Sequence, residues 1–230
     1  WHGVAVVPRS DTLVLRPQAD GFAISSGAER ELAIAGTDDA TRAVAEAAHA
    51  SRRFDLAALP VEALHRRLQS AMLAAASAPT QARSARRREV AEALLALGMG
   101  AEMQAVMEVA AVDDARAAAD PDMIALTAIA ALLAGRPDEA VGIDDDRLTG
   151  SDEIALWRAV RAAVREQGSE RAAAIFGSAM PLLLSYPAPL RDRLLPLALE
   201  TMALAGQADD ASKIAARLPD MAALDLARGY

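Results

Sequence analysis

The side chains of this sequence that could carry chemistry are few, and their spacing argues against a reaction centre. The three histidines, His2, His49 and His65, stand far apart, and no H-E-x-x-H pattern sets two of them one helical turn apart to hold zinc. There is no cysteine, which excludes disulfides, thiolate zinc sites and a thiol nucleophile. Gly98-Met99-Gly100 lacks the third glycine and the preceding strand of a dinucleotide-binding turn. No P-loop, G-x-S-x-G or kinase signature occurs. The densest carboxylate run, Asp144, Asp145, Asp146, Asp152 and Glu153, lacks the alternating positions, central glycine and terminal glutamate of a calcium loop, so it reads as a solvated acidic loop. Arg83, Arg86, Arg87 and Arg88 form the densest basic cluster and read as an exposed helix start rather than a phosphate site. The expectation is a non-enzymatic protein with no cofactor and no metal.

The elements that position binding residues here are helices. The chain has 230 residues, 53% hydrophobic but only 3% aromatic, and much of the apolar share is alanine. Alanine is the best helix former and lets helices approach closely. The formal net charge of −8 argues against a general nucleic-acid binder, which needs a basic footprint. Lys213 is the single lysine, and the preference for arginine fits a GC-rich, bacterial genome. The longest apolar run, Met123 to Ala134, is shorter than the ~20 residues of a membrane span, so no membrane insertion is expected. The chain opens at Trp1 with no secretory signal pattern. That predicts a piece of a longer protein or a leader already removed, and leaves both a cytoplasmic and a periplasmic location open.

Three segments are expected: 1–36, 37–83 and 84–230. In the first, "GVAVVP", "TLVLRP" and "GFAISS" are short, β-rich and bounded by turn residues. They read as a hairpin or meander that ends an upstream β-domain. In the second, Thr37, Asp38 and Asp39 start a helix carrying Val44, Ala47, Ala48 and Phe54 at helical spacing. Pro60 opens another, with Leu64, Leu68, Met72 and Leu73 on one face, and "PTQARS" from Pro79 reads as a linker.

The third segment repeats one joint. Gly98, Gly135, Gly168 and Gly206 are separated by 37, 33 and 38 residues, each after an apolar-periodic helix. Ala140, Ala173 and Ala211 stand five residues after the last three. Glycine ends a helix in the left-handed conformation, an acidic residue starts the next, and the small alanine lets the two pack tightly. Mid-thirties spacing is the period of paired-helix solenoids. From about Ser84 to Pro219 the pattern resembles the tetratricopeptide repeat family. In the best match Trp157, Val160 and Val164 stand at the large apolar positions and Ala173 at the small one; Arg161 replaces the family's glycine and Gly177 its aromatic. In "GIDDDRLTGSDE" the second helix of the preceding pair is expected to be short or irregular.

The fold class expected is therefore mainly α: a solenoid of antiparallel helix pairs with a short N-terminal β-hairpin or meander. The resemblance implies a protein–protein interaction scaffold that takes a partner protein or peptide on its concave face. By helical phase that face carries Arg88, Glu92, Ile129, Arg158, Arg165, Arg193 and Glu200. Such an arginine-rich wall with an apolar middle suits an acidic segment or a C-terminal carboxylate. Two other readings stand beside it: a structural or assembly component of a cell-envelope or secreted machine, and a helical-bundle enzyme or regulator. Homo-oligomerisation is left open. A wall filled by the chain's own N-terminal portion would favour the structural component.

Overall fold

The computed structural model describes residues 13–18, 21–26 and 50–216. The chain divides into two compact units, residues 1–38 and 39–230. In the first, strands β1 (Leu13–Gln18) and β2 (Gly21–Ser26) pair antiparallel, with Leu13 opposite Ser26 and Gln18 opposite Gly21. They are two of the three expected strands; "GVAVVP" lies outside the described residues.

The second unit is helical: α1 (Val61–Ser77), α2 (Thr80–Ala96), α3 (Gly100–Asp113), α4 (Ala115–Ala118), α5 (Pro121–Leu133), α6 (Asp152–Arg165), α7 (Glu170–Leu184), α8 (Ala188–Met202) and α9 (Ala208–Ala216). The chain is mainly α, and among the described residues no helix is long and apolar enough to cross a membrane. All four expected joints take the left-handed conformation, with φ of 69°, 78°, 70° and 85° at Gly98, Gly135, Gly168 and Gly206. At the first, the Gly98 and Met99 N–H groups donate to the Leu95 and Leu94 carbonyls at 2.9 and 3.0 Å. Gly135 and Arg136 repeat the pattern on Leu132 and Ala131. Each glycine thereby satisfies carbonyls that the helix end leaves open. Ala140, Ala173 and Ala211 are buried. The element after Gly135 is two 3-10 turns, Ala140–Asp144 and Asp146–Leu148, in place of a second α-helix.

Three local expectations are corrected. "PTQARS" is no linker: Pro79 stands just before α2, so a boundary at Ser84 cuts that helix. The Arg- and Ala-rich run propagates helix without a break because its residues are strong helix formers. Met72 and Leu73 are exposed, at 56% and 73%, whereas Leu64 is buried. Leu73 follows Leu64 by two and a half turns and so faces the opposite side; the buried stripe runs through Leu64 and Ala71. Finally, the chain from Ala50 to Leu59 is not helical, so Phe54 is no helix-face residue although it is buried. The expected helix from Thr37 otherwise lies outside the described residues.

Packing follows chain order: α1 on α2, α2 on α3, α3 on α5, α5 on the 3-10 turns, α6 on α7, α7 on α8 and α8 on α9. The helices that precede the glycine joints also touch one another, α2 with α5, α5 with α6, α6 with α8, and α8 back to α2. One core results, with Trp157, Phe176, Tyr186, Leu126 and Ile129 fully buried.

Candidate binding cleft and the segment across the helix ends

The α8–α2 contact brings the last of these helices back against the first. There Arg193 donates to the Gly98 carbonyl at 2.7 Å and also to the Leu133 carbonyl. One guanidinium thus ties α8 to the open carbonyl ends of α2 and α5, where cations are favoured. Arg193 is a helix-end clamp, which corrects its place on a free wall. Ile129 is corrected too. It is fully buried, and its neighbours on α5 from Ala128 to Leu133 are buried too, because α5 is packed by α2, α3 and α6 together.

The chain's own segment Ser51–Leu56 crosses the N-terminal ends of α5 and α6. It holds no regular structure, and three of its main-chain N–H groups are satisfied by the first turn of α6. The Ser51 N–H donates to Asp152 Oδ2 at 2.8 Å, and the Arg53 and Phe54 N–H groups donate to Glu153 Oε2 at 2.7 and 3.0 Å. The Glu153 N–H donates back to the Ser51 carbonyl at 3.3 Å. The Tyr186 hydroxyl donates to Glu153 Oε1 at 2.9 Å, and Arg52 donates to the Ser185 hydroxyl at 2.6 Å. Phe54 and Leu56 enter the core. Arg53 pairs with Asp122 at 2.6 Å, Asp122 with Arg88 at 2.8 Å, and Arg88 with Glu92 at 3.0 Å. Arg88 and Glu92 therefore serve this internal segment.

The acidic-loop expectation splits here. Asp152 and Glu153 belong to α6, and Glu153 is fully buried. Ser151 before them accepts from the Ile154 N–H, so "SDE" ahead of "IALW" is a helix start. That pattern was available in the sequence as a capping residue with acidic neighbours. Burial pushes the Glu153 carboxyl above its ordinary value, opposed by the N–H groups of Arg53 and Phe54 and by the Tyr186 hydroxyl. Burial and the adjacent Glu153 push the Tyr186 hydroxyl well above its ordinary range. Asp152 is lowered by the Ser51 N–H and hydroxyl. Asp145 stays in the loop and is lowered to about 2 by Arg147.

Between them, α6 and α7 enclose an open cleft of about 280 Å³. Arg158, Arg161 and Arg165 recur at helical spacing along one face of α6, and Arg171 joins them from the first turn of α7. Its floor is apolar, with Ala159, Ala162 and Ile175, and Asp144 is the carboxylate among the lining residues. Arg158 is committed to the carbonyls of Ile143 and Asp145 at 2.9 and 3.1 Å, holding the 3-10 turns. Arg161 pairs with Asp144 and donates to the Pro137 carbonyl at 3.2 Å. Among the described residues Arg165 pairs with Asp138 alone, at 2.9 Å between exposed side chains, a pair that solvent screens. Arg171 makes no ion pair among the described residues. A second cleft of about 360 Å³ shares Ala155 and Ile175 with the first and runs on to Asp152 and Ala50.

Of the seven expected site residues, Arg158 and Arg165 thus come together. Arg88 and Glu92 pair elsewhere, Ile129 is core, Arg193 is a clamp and Glu200 is exposed on α8. Arg171 and Arg161 complete the cleft. Arg161 had stood out in the sequence as an arginine where the repeat pattern has glycine. Arg171 gave no signal, because its meeting with α6 depends on the Gly168 turn. Fold and cleft together define a mainly α-helical chain with an arginine-lined surface groove. No family model matches this chain, and no curated protein or solved structure matches it either.

Proposed function

We propose that this chain is a non-enzymatic protein-interaction module of tetratricopeptide-like helix pairs, and that it takes an acidic partner segment in the α6–α7 cleft. The observation that carries the reading is four guanidiniums around one small cleft that holds a single carboxylate, above an alanine floor. Guanidinium forks bind carboxylates through paired, charge-assisted hydrogen bonds, and an apolar floor accepts the methylenes of glutamate side chains. The partner site moves from the expected wall to the α6–α7 groove, since Ile129 is buried, Arg193 clamps two helix ends, and Arg88 and Glu92 serve the Ser51–Leu56 segment.

The test is fluorescence anisotropy with a fluorescein-labelled pentaglutamate. Arg165→Glu with Arg171→Glu is the variant of choice, because these two side chains carry the fewest internal contacts. Binding by the parent chain, weakened at least tenfold in the double variant and by added salt, is expected. Equal binding by both proteins would overturn the reading.

The docking of Ser51–Leu56 on the ends of α5 and α6 favours a second reading, a structural component that packs against its own upstream portion. On that reading pentaglutamate does not bind, and loss of the Ser51–Leu56 contacts affects only stability.

A further inference from the structure

We propose that the acidic partner binds the α6–α7 groove as a single α-helix, its acidic first turn at Arg165 and Arg171 and its axis antiparallel to α6. The inference rests on the interaction reading above and names the form and direction of the partner. In the helical unit a second helix rests on its own first helix and on the first helix of the next pair: α3 lies on α2 and α5, and α7 lies on α6 and α8. After α5 that place is taken by 3-10 turns of 5 and 3 residues, where α3 and α7 have 14 and 15. These turns reach α6, and Asp144 at the end of the first one lines the cleft. The groove thus opens beside the one pair whose second helix is cut short, and a helix from a partner completes the stack there.

Shape, hydrogen bonding and charge agree on that occupant. The two clefts share Ala155 and Ile175, so they form one groove along the seam of α6 and α7, from Asp152 at one end to Arg165 at the other. The α6 floor is Ala155, Ala159 and Ala162, one residue per turn, which lets a second helix approach closely. An extended segment laid on these methyl groups would bury main-chain N–H and C=O groups without partners, whereas a helix satisfies its own. The arginines gather at the C-terminal end of α6 and the first turn of α7. Acidic side chains are favoured in the first turn of a helix, so a partner whose glutamates meet Arg165 and Arg171 has its N-terminus there. It then runs parallel to α7, which is the direction of a second helix. The Asp138 carboxylate, from the acidic start after Gly135, already pairs with Arg165 at 2.9 Å and shows the contact that a partner glutamate would take over.

Fluorescence anisotropy tests this with alanine-based peptides of about sixteen residues. One is a lactam-bridged helix with glutamates in its first turn, another the same helix with glutamates in its last turn, and a third a proline-broken chain of the same charge. The parent chain should bind the first about tenfold more tightly than either of the others, the gain from a preformed helix with its acidic end at the arginines. Arg165→Glu with Arg171→Glu should remove that binding. Ala155→Leu, which raises the floor, should abolish the preference for the first peptide and leave pentaglutamate binding unchanged. Equal binding of all three peptides, with pentaglutamate bound as well, would overturn the helical seat and leave the acidic-partner reading standing. A preference that survives Ala155→Leu would place the helix outside the groove and overturn the proposal too. Binding of none of the peptides, pentaglutamate included, would overturn both.

Discussion

Glu153 shows how one side chain sets both order and pH response. Its carboxylate accepts from two main-chain N–H groups and a tyrosine hydroxyl in a site closed to solvent. Replacing it with alanine leaves three buried donors without an acceptor, a loss expected at about 3 kcal/mol in chemical denaturation. Glu153→Gln keeps the acceptor and should cost far less. Because burial raises this carboxyl, the folded state binds its proton more tightly than the unfolded chain. Its contribution is therefore fullest below the ordinary value of 4.5 and is lost as pH rises through the raised folded value. The melting temperature of Glu153→Gln relative to the parent should climb across that window and then level off. Asp152 and Asp145 act in the opposite sense, supporting the fold above the ordinary 3.8 and losing that support as pH falls below it. A flat difference between Glu153→Gln and parent would show that the carboxylate carries no burial penalty.

At the scale of elements, the glycine joints were legible because glycine alone enters the left-handed helix end without penalty, whatever surrounds it. The same logic fixes two different losses. Gly135 has φ of 78° and open space where a Cβ would stand, so Gly135→Ala isolates the backbone cost of about 1–2 kcal/mol. Gly100 has ordinary helical geometry, but a Cβ there would lie 2.4 Å from Leu133 Cβ. Gly100→Ala must push the start of α3 off the end of α5, at a cost of about 3 kcal/mol. Urea denaturation of the two variants measures both, and a smaller loss at Gly100 than at Gly135 would contradict the close approach. "GMG" is thus a joint followed by a contact point. Sequence alone did not separate these, since contact with Leu133 is a fact of the α3–α5 approach and leaves no local pattern.

Across the whole helical unit, sequential hairpins were legible and their closure was not. Phase along each helix picks a face; it does not say whether that face meets solvent or another helix. Ile129 illustrates this, since its stripe is apolar on either account and only the convergence of α2, α3 and α6 buries it. Arg193 shows the same limit for charge, since a guanidinium that clamps Gly98 and Leu133 is indistinguishable in sequence from a solvated one. Arg193→Ala should lower unfolding free energy by about 2 kcal/mol while leaving pentaglutamate affinity unchanged, which separates the clamp from the cleft. What survives of the expected groove is Arg158 with Arg165, joined by Arg161 and Arg171. The most direct measurement of that claim is the set of arginine Nε–Hε resonances during a pentaglutamate titration of the full chain. Shifts confined to Arg158, Arg161, Arg165 and Arg171 are predicted; shifts centred on Arg83, Arg86 and Arg87, or none at saturating peptide, would contradict it.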